Sequence, residues 1–291
     1  MGIKEGTSTL SSRFMGSCAT YDEASVVLVG VPMDFTCIFR PGTRFGPQRI
    51  REVSIGVEEY SPYIERDLSD YAYYDAGDLE LPFGNVEKSL EVIGDAAKEI
   101  FDDNKFPLFI GGEHLSSVPI IKRAYEKYGD DLVLLHFDAH ADLRTDYMGC
   151  ENSHASAIRR VIDFMPSNNI FQYGIRSGTK DEFVFARENT HTHMFEVLQP
   201  LKGDLPKIGN RPVYVTLDID VVDPAYAGGT GTPEPGGISS AELIKAVLLM
   251  KNLKLIGFDL VEVSPPFDSA DCTSLLAAKI IREIILSDSY R

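Results

Sequence analysis

The sequence predicts an α/β fold, a mostly parallel sheet flanked by helices. Three observations predict it. Short apolar runs alternate with amphipathic stretches along the 291 residues. No repeat, linker or low-complexity segment interrupts them, so residues 1–291 read as one domain, with about 1–22 as an N-terminal extension. Four of the runs end in carboxylate or imidazole residues, and open parallel sheets bind ligands at the carboxyl ends of their strands.

The first strand is Ser25-Val-Val-Leu-Val-Gly-Val31, ended by Pro32. Arg40-Pro-Gly-Thr-Arg-Phe-Gly-Pro47 is a turn-rich loop, and Pro47 suits the first turn of a helix over about 48–59. That loop lies on the ligand edge, so Arg40 and Arg44 have two readings, ion pairs that hold the loop or a part in the site. Residues 71–74 form a short strand, 86–101 an amphipathic helix and 106–110 a strand. Gly111-Gly112 allows a sharp turn, and Ser116 or Ser117 caps a helix to about 128. The apolar run 132–135 leads into His136-Phe-Asp-Ala-His-Ala-Asp142.

After a loop over 145–152, Ser153 caps a helix through Phe164 and places His154 in its first turn. The helix dipole there favours a neutral imidazole, as suits proton exchange near pH 7. A strand spans 170–175 and a short helix 181–188. His191-Thr-His193 has metal-like spacing, but it precedes Met194-Phe195 instead of ending an apolar strand, and is read as surface. The strand 213–217 ends in Asp218-Ile-Asp220. The Gly- and Pro-rich segment 228–237 lacks the ending of a phosphate loop and is read as a substrate-contacting loop. Ser239 or Ser240 caps a helix to about 251, the strand 255–261 ends in Glu262, and 270–286 is the last helix.

Lys and Arg number 28 against 44 Asp and Glu, a net charge of −16. This argues against a nucleic-acid partner and fits a cationic substrate, though solubility alone accounts for it equally well. No apolar run is long enough to span a membrane. The N-terminus lacks the apolar core of a signal peptide, and Gly6 stands where a myristoylation pattern needs Ser or Thr; the expected location is cytoplasmic. Cys18, Cys37, Cys150 and Cys272 have no CxxC spacing, which fits reduced thiols.

Asp138, His140 and Asp142 are spaced by two, and on a strand such residues point to one side. Carboxylates and an imidazole at the end of an apolar strand are costly unless positive charge sits among them. His114 after the Gly pair, Asp218 and Asp220 complete a set of two imidazoles and four aspartates, enough for two metals with bridging carboxylates. His136 lies earlier, inside the strand, and is read as a core histidine or a support to a ligand. Hard oxygen plus imidazole, with no thiolate, suits Mn²⁺ over Fe, Co or Zn. Two such ions about 3.5–4 Å apart share a water and lower its pKa, which is hydrolytic machinery.

Gly111-Gly-Glu-His114, Asp138-Ala-His-Ala-Asp142, Asp218-Ile-Asp220 with Asp223-Pro224, Gly231-Thr-Pro233 and Glu262-Val-Ser-Pro265 stand in the order of the ureohydrolase family, which contains arginases and agmatinases. The resemblance covers nearly the whole chain. It implies an arginase-like three-layer sandwich and two Mn²⁺ per chain. One ion would be held by His114, Asp138, Asp142 and Asp218, the other by Asp138, His140, Asp218 and Asp220. A hydroxide between them would attack the guanidinium carbon, with Asp142 orienting it. Glu262 would anchor the guanidinium. His154 resembles the family's proton shuttle, although Ala155 stands where the family usually has Gly.

Gly30-Val-Pro-Met-Asp34 and the 40–47 loop resemble the agmatinase branch. Arginases place Asn where Arg144 stands, which argues against arginine as substrate. Arg144 can instead pair with an acidic tail, as in 4-guanidinobutyrate. Agmatine, cleaved to putrescine and urea, is the implied substrate, with Glu262, Thr232 and Arg144 as substrate-binding residues. The resemblance also implies a homo-oligomer, trimer or hexamer. A one-zinc amidohydrolase of the histone-deacetylase type and a non-catalytic metal-binding protein are the alternatives.

Overall fold

Val26–Gly30 is a run of β-branched and apolar residues with all five positions buried, and it forms β1 of a computed structural model that describes residues 13–287, 289 and 290. The segment before it, from residue 13, is laid against the fold: Phe14 N–H donates to Asp75 and Met15 N–H to Ser54. The remainder of the expected N-terminal extension, 1–12, lies outside the described residues.

α1 (Gly46–Ser54) starts around Pro47 and stops earlier than expected, short of Gly56, whose helix propensity is poor. The segment after it turns into a small antiparallel pair, β2 (Tyr60–Ser61) and β3 (Arg66–Asp67), too short to leave a sequence pattern. β4 (Tyr73–Asp78) is longer than the aromatic run, because pairing with β1 carries it on to Asp78. Arg51 of α1 is fully buried and donates to Asp75 at 2.8 Å and to Asp78 at 2.5 Å, fastening α1 to β4. α2 (Val86–Asp102), capped by Asn85, and β5 (Phe106–Ile110) follow as read.

α3 (Ser117–Tyr128) occupies the expected span, yet neither serine caps it. Ser116 Oγ donates to the Glu113 carbonyl and Ser117 Oγ to Asp259. β6 (Val133–Phe137) leads to a loop, and Ser153 caps a 3-10 turn at His154–Ser156 that runs into α4 (Ala157–Ile162). β7 (Ile170–Ile175) and α5 (Lys180–Asn189) match their predicted spans. The HxH residues form an edge strand, β8 (His191–Met194). α6 (Leu198–Ile208) escaped the sequence reading because Pro200, Gly203 and Pro206 mask it. Pro200 falls in the first turn, where no N–H is needed. β9 (Pro212–Asp218), α7 (Ser240–Leu249, capped by Ser239), β10 (Lys254–Val261) and α8 (Cys272–Ser287) complete the order.

Eight strands join in one sheet, β4-β1-β5-β10-β9-β6-β7-β8, and every pairing is parallel. The side-chain period of two divides the core. Leu28, Leu135, Val215 and Leu260 face a layer containing α7 and α8, while Val29, Leu134 and Phe109 face α2 and α3. This is a three-layer α/β sandwich. Each buried isoleucine of α8, such as Ile281 and Ile285, contributes roughly 1.5–3 kcal/mol by leaving water. Among the described residues, no helix is long and apolar enough to cross a membrane.

All carboxyl ends lie on one edge. The four central neighbours β5, β10, β9 and β6 are the strands that end in His114, Glu262, Asp218 and Asp138. Gly112 makes the first of these turns possible: a Cβ there would meet the Met33 carbonyl oxygen at 1.9 Å. The same carbonyl accepts Glu113 N–H at 2.7 Å, which joins the loop after β5 to the loop after β1.

Candidate metal centre

The expectation that strand parity converges Asp138, His140 and Asp142 needs correction. Regular strand geometry ends at Phe137, and Asp142 has φ 52°, in the left-handed region. The three side chains converge through an irregular turn that β7 braces, where Asp138 N–H donates to Tyr173 O and Ala141 N–H to Ser177 O. Asp218 ends β9, and Asp220 sits in the 3-10 turn beyond it.

Two groups of ligand-type atoms result. His114 Nδ1 lies 2.9 Å from Asp138 Oδ2, 3.3 Å from Asp142 Oδ2 and 3.5 Å from Asp218 Oδ2. His140 Nδ1 lies 3.0 Å from Asp220 Oδ2 and 3.4 Å from Asp138 Oδ1. Asp138 offers one oxygen to each group. Ligand atoms about 2.1 Å from an octahedral ion stand about 3 Å apart, so these spacings fit coordination. His114 Nδ1 is buried without hydrogen-bond geometry to any neighbour.

The hydrogen bonds around His114 explain why that nitrogen is free. Its Nε2 is 2.9 Å from Thr216 Oγ1, whose hydroxyl donates to Asp259 at 2.6 Å. The threonine therefore accepts the Nε2 proton, which leaves Nδ1 as the ring atom that faces the carboxylates and is available to a metal. His136 differs. Gln172 Nε2 donates both to the Ala141 carbonyl and to His136 Nδ1, leaving His136 Nε2–H to donate to Asp138 at 2.8 Å. It supports a carboxylate, as the sequence suggested. Thr216, Asp259 and Gln172 gave no sequence signal, since they lie inside strands.

The electrostatics call for a cation. Burial and the charge of Asp138 hold Asp142 well above the usual carboxylate range, and burial with Asp220 does the same to Asp218. Asp138 is the exception: burial opposes its charge, but the surrounding imidazoles outweigh burial and keep it low. Burial also opposes charge on His114 and His140, yet the aspartates hold both well above the ordinary imidazole value. Protons gather where positive charge is wanted. The donor set and its spacing fit metal ions.

A cavity of about 180 Å³ opens beside these groups, lined by His140, Asp142, Arg144, His154, Thr232 and Glu262 among others. Glu262 has φ 66°, and its carboxylate accepts His114 N–H at 2.9 Å. Burial, against that hydrogen bond and with Glu113 nearby, pushes it up to about 8. Burial pushes His154 down to about 4, with His140, His114 and Arg144 adding to the effect. Thr232 Oγ1 is 3.4 Å from Asp220 Oδ2. Arg144 lies over the Tyr147 ring, with Nε 3.4 Å from Glu182.

Arg44 and Arg40 do not line this cavity. Arg44 pairs with Asp34, which also accepts Gly42 N–H, so it holds its loop. Arg40 stands over the rings of Phe39 and Phe267. His193 of the HxH pair is 2.6 Å from Asp204, and His191 stacks on Phe171.

The Arginase family profile matches residues 24–287. An agmatinase of Bacillus subtilis is 52% identical over 276 residues, covering 94% of this chain and 95% of that protein. A guanidinobutyrase of Pseudomonas aeruginosa is 33% identical, covering 92% and 88%. A crystal structure from Clostridium difficile superposes with a TM-score of 0.90 at 40% identity, covering 94% of this chain and all of that one.

Proposed function

The chain belongs to the arginase family, and we propose that it is a binuclear manganese hydrolase that converts agmatine to putrescine and urea. The observation that carries this reading is the buried Glu262 carboxylate beside four convergent aspartates and two imidazoles at one cavity. Four aspartates carry about four negative charges when ionised, which two divalent ions neutralise. His114, Asp138, Asp142 and Asp218 would hold one ion, and Asp138, His140, Asp218 and Asp220 the other. Bound there, two Mn²⁺ supply a water acidic enough to attack at neutral pH.

The chain's own residues do the rest. Glu262 is a buried carboxyl group at the cavity outside the two ligand sets, and as a carboxylate it matches the planar donors of a guanidinium, whose charge favours its ionised form. Asp142 accepts a hydrogen bond from the attacking water and orients it toward the guanidinium carbon. His154 delivers a proton to the leaving amine as the C–N bond breaks. Thr232 lines the wall on the Asp220 side. Arg144 lines the cavity with its charge partly met by Glu182 through Nε and its guanidinium over Tyr147, which weakens its hold on an acidic tail. That favours agmatine over 4-guanidinobutyrate, in line with the higher identity to the agmatinase. We further take residues 1–291 as one ureohydrolase domain, with 1–22 as its extension, in a cytoplasmic homo-oligomer, trimer or hexamer, that makes putrescine for polyamine metabolism.

The test is urea release by the Mn²⁺-loaded protein from agmatine, arginine and 4-guanidinobutyrate. Agmatine is expected to give a kcat/KM at least about tenfold above the others. Faster release from guanidinobutyrate moves the substrate to that acid. No urea from any of the three refutes the reaction, and a count of one zinc per chain points to the amidohydrolase alternative.

A further inference from the structure

Glu113 is fully buried one residue before His114, yet its carboxylate faces the other way, toward the loop after β1. Four donors converge on it. Phe35 N–H reaches Oε1 at 3.1 Å, Thr36 N–H reaches Oε2 at 3.0 Å, Thr36 Oγ1 reaches Oε2 at 2.5 Å, and Cys37 Sγ lies 3.6 Å from Oε2. With so many donors aimed at it, the carboxylate acts as an acceptor.

The Thr36 hydroxyl has one proton to give. Its oxygen is 2.5 Å from Glu113 but 3.3 Å from His154 Nδ1, so the proton goes to the carboxylate. The lone pairs then face His154 twice: the hydroxyl accepts His154 N–H at 3.0 Å and stands opposite the ring Nδ1. Only a protonated Nδ1 makes a hydrogen bond there. The ring's Nε2 has no hydrogen-bond partner among the described residues, and the side chain lines the cavity beside His140 and Asp142.

We propose that Glu113 and Thr36 are positioning residues that lock His154 in the Nδ1–H tautomer, so that Nε2 is the atom that carries and releases the proton. The inference rests on the reading of His154 as the group that protonates the leaving amine. Nε2 takes a proton from solvent and gives it to the amine nitrogen as the C–N bond breaks. The Nδ1 proton stays on the ring, held by the threonine oxygen. The Glu113 carboxylate keeps the hydroxyl proton turned away from the ring, so the threonine oxygen stays an acceptor toward Nδ1, and the ring is oriented through one hydroxyl. A glutamate present only to fasten the 35–37 loop would not need a hydroxyl shared with both the backbone and the ring of one histidine.

The deciding measurement is nitrogen NMR of isotope-labelled histidine in protein loaded with diamagnetic Mg²⁺, with the His154 signals identified by their loss in His154→Asn. The wild-type chain should show His154 as Nδ1–H, and Thr36→Val should shift it toward Nε2–H. In the Mn²⁺ enzyme, Thr36→Val should lower kcat roughly tenfold to a hundredfold with KM and metal content unchanged, and Thr36→Ser should restore it. A wild-type Nε2–H tautomer overturns the proposal, as does Thr36→Val with tautomer and kcat intact. Should Thr36→Val fail to fold, Thr36→Ala and the wild-type tautomer decide in its place. The tautomer needs no turnover, so a chain that releases no urea from agmatine refutes the reaction while this question is still answered separately.

Discussion

Replacing Thr216 with valine should weaken metal binding without removing a ligand. Thr216 is fully buried in β9, and its Oγ1 accepts the Nε2 proton of His114 at 2.9 Å while donating to Asp259 at 2.6 Å. Valine has nearly the same shape, so no cavity opens and the packing is kept. What goes is the acceptor for a buried N–H. Leaving such a group unsatisfied costs about 1–3 kcal/mol. Partners that orient a metal-bound histidine are worth about 10–100-fold in affinity, which is about 1.4–2.8 kcal/mol. The two estimates arrive at the same range by different routes. Asp259 keeps Ser117 Oγ and Tyr214 Oη as donors, so its own loss is partial. The assay is Mn²⁺ titration against a competing chelator, with circular dichroism to show that the variant is folded. Affinity within about twofold of wild type would refute the reasoning, because the ring would then be oriented by its ligands alone.

Three further outcomes follow from other parts of the molecule. Asp138→Asn should lose metal from both positions by elemental analysis, since Asp138 offers one oxygen to each ligand group; a variant that keeps both ions and near-normal activity contradicts the bridging role. Arg51→Met should cost about 3–5 kcal/mol in urea denaturation, because it strands Asp75 in the interior without its partner; a loss below about 1 kcal/mol would show that Asp75 finds other donors. Burial raises the pKa of Asp204, but Lys207 and His193 outweigh burial and hold it below the ordinary aspartate value. Its contribution is therefore present above the unfolded-state pKa and lost as pH falls through the lower folded value. The Asp204→Asn variant should melt below wild type at pH 7, with the gap narrowing as the pH is lowered past the ordinary aspartate value; a gap unchanged through the acid range would exclude the charge as the source.

The fold was legible where the chain repeats a simple pattern. Runs such as Phe106–Ile110 and Pro212–Asp218 are buried throughout and could be little else but central strands. α6 was invisible because two prolines and a glycine contradict helix propensity, and packing overrides them. β8 was set aside for a related reason: His191-Thr-His193 becomes a strand only because β7 offers an open edge to pair with. At the site, residue types at strand ends announced the ligands, while the residues that aim them did not stand out. Thr216 and Gln172 sit among apolar neighbours in their strands, and Thr36 lies in an unremarkable loop. Their roles depend on distances across the sheet, which no spacing along one strand encodes.

Two of the acidic residues at the site, Asp142 and Glu262, have left-handed backbone conformations that cost of order 1–3 kcal/mol each. Glu262 directly follows β10, and Asp142 lies in the irregular turn after β6. The strain persists because the surroundings over-determine it. Asp142 O accepts Arg159 N–H at 2.9 Å, and Glu262 N–H donates to Gly112 O at 2.8 Å. The same reasoning applies to the charge. Four aspartates and two glutamates held at the centre of the strand-end edge repel one another, and the chain does not relax because β6, β9 and β10 are buried on both faces of the sheet. Apolar burial in the two helix layers supplies the free energy that keeps like charges together, and bound cations return part of it by mass action. Fold stability and metal affinity are thus two sides of one balance, and the strand ends are where they meet.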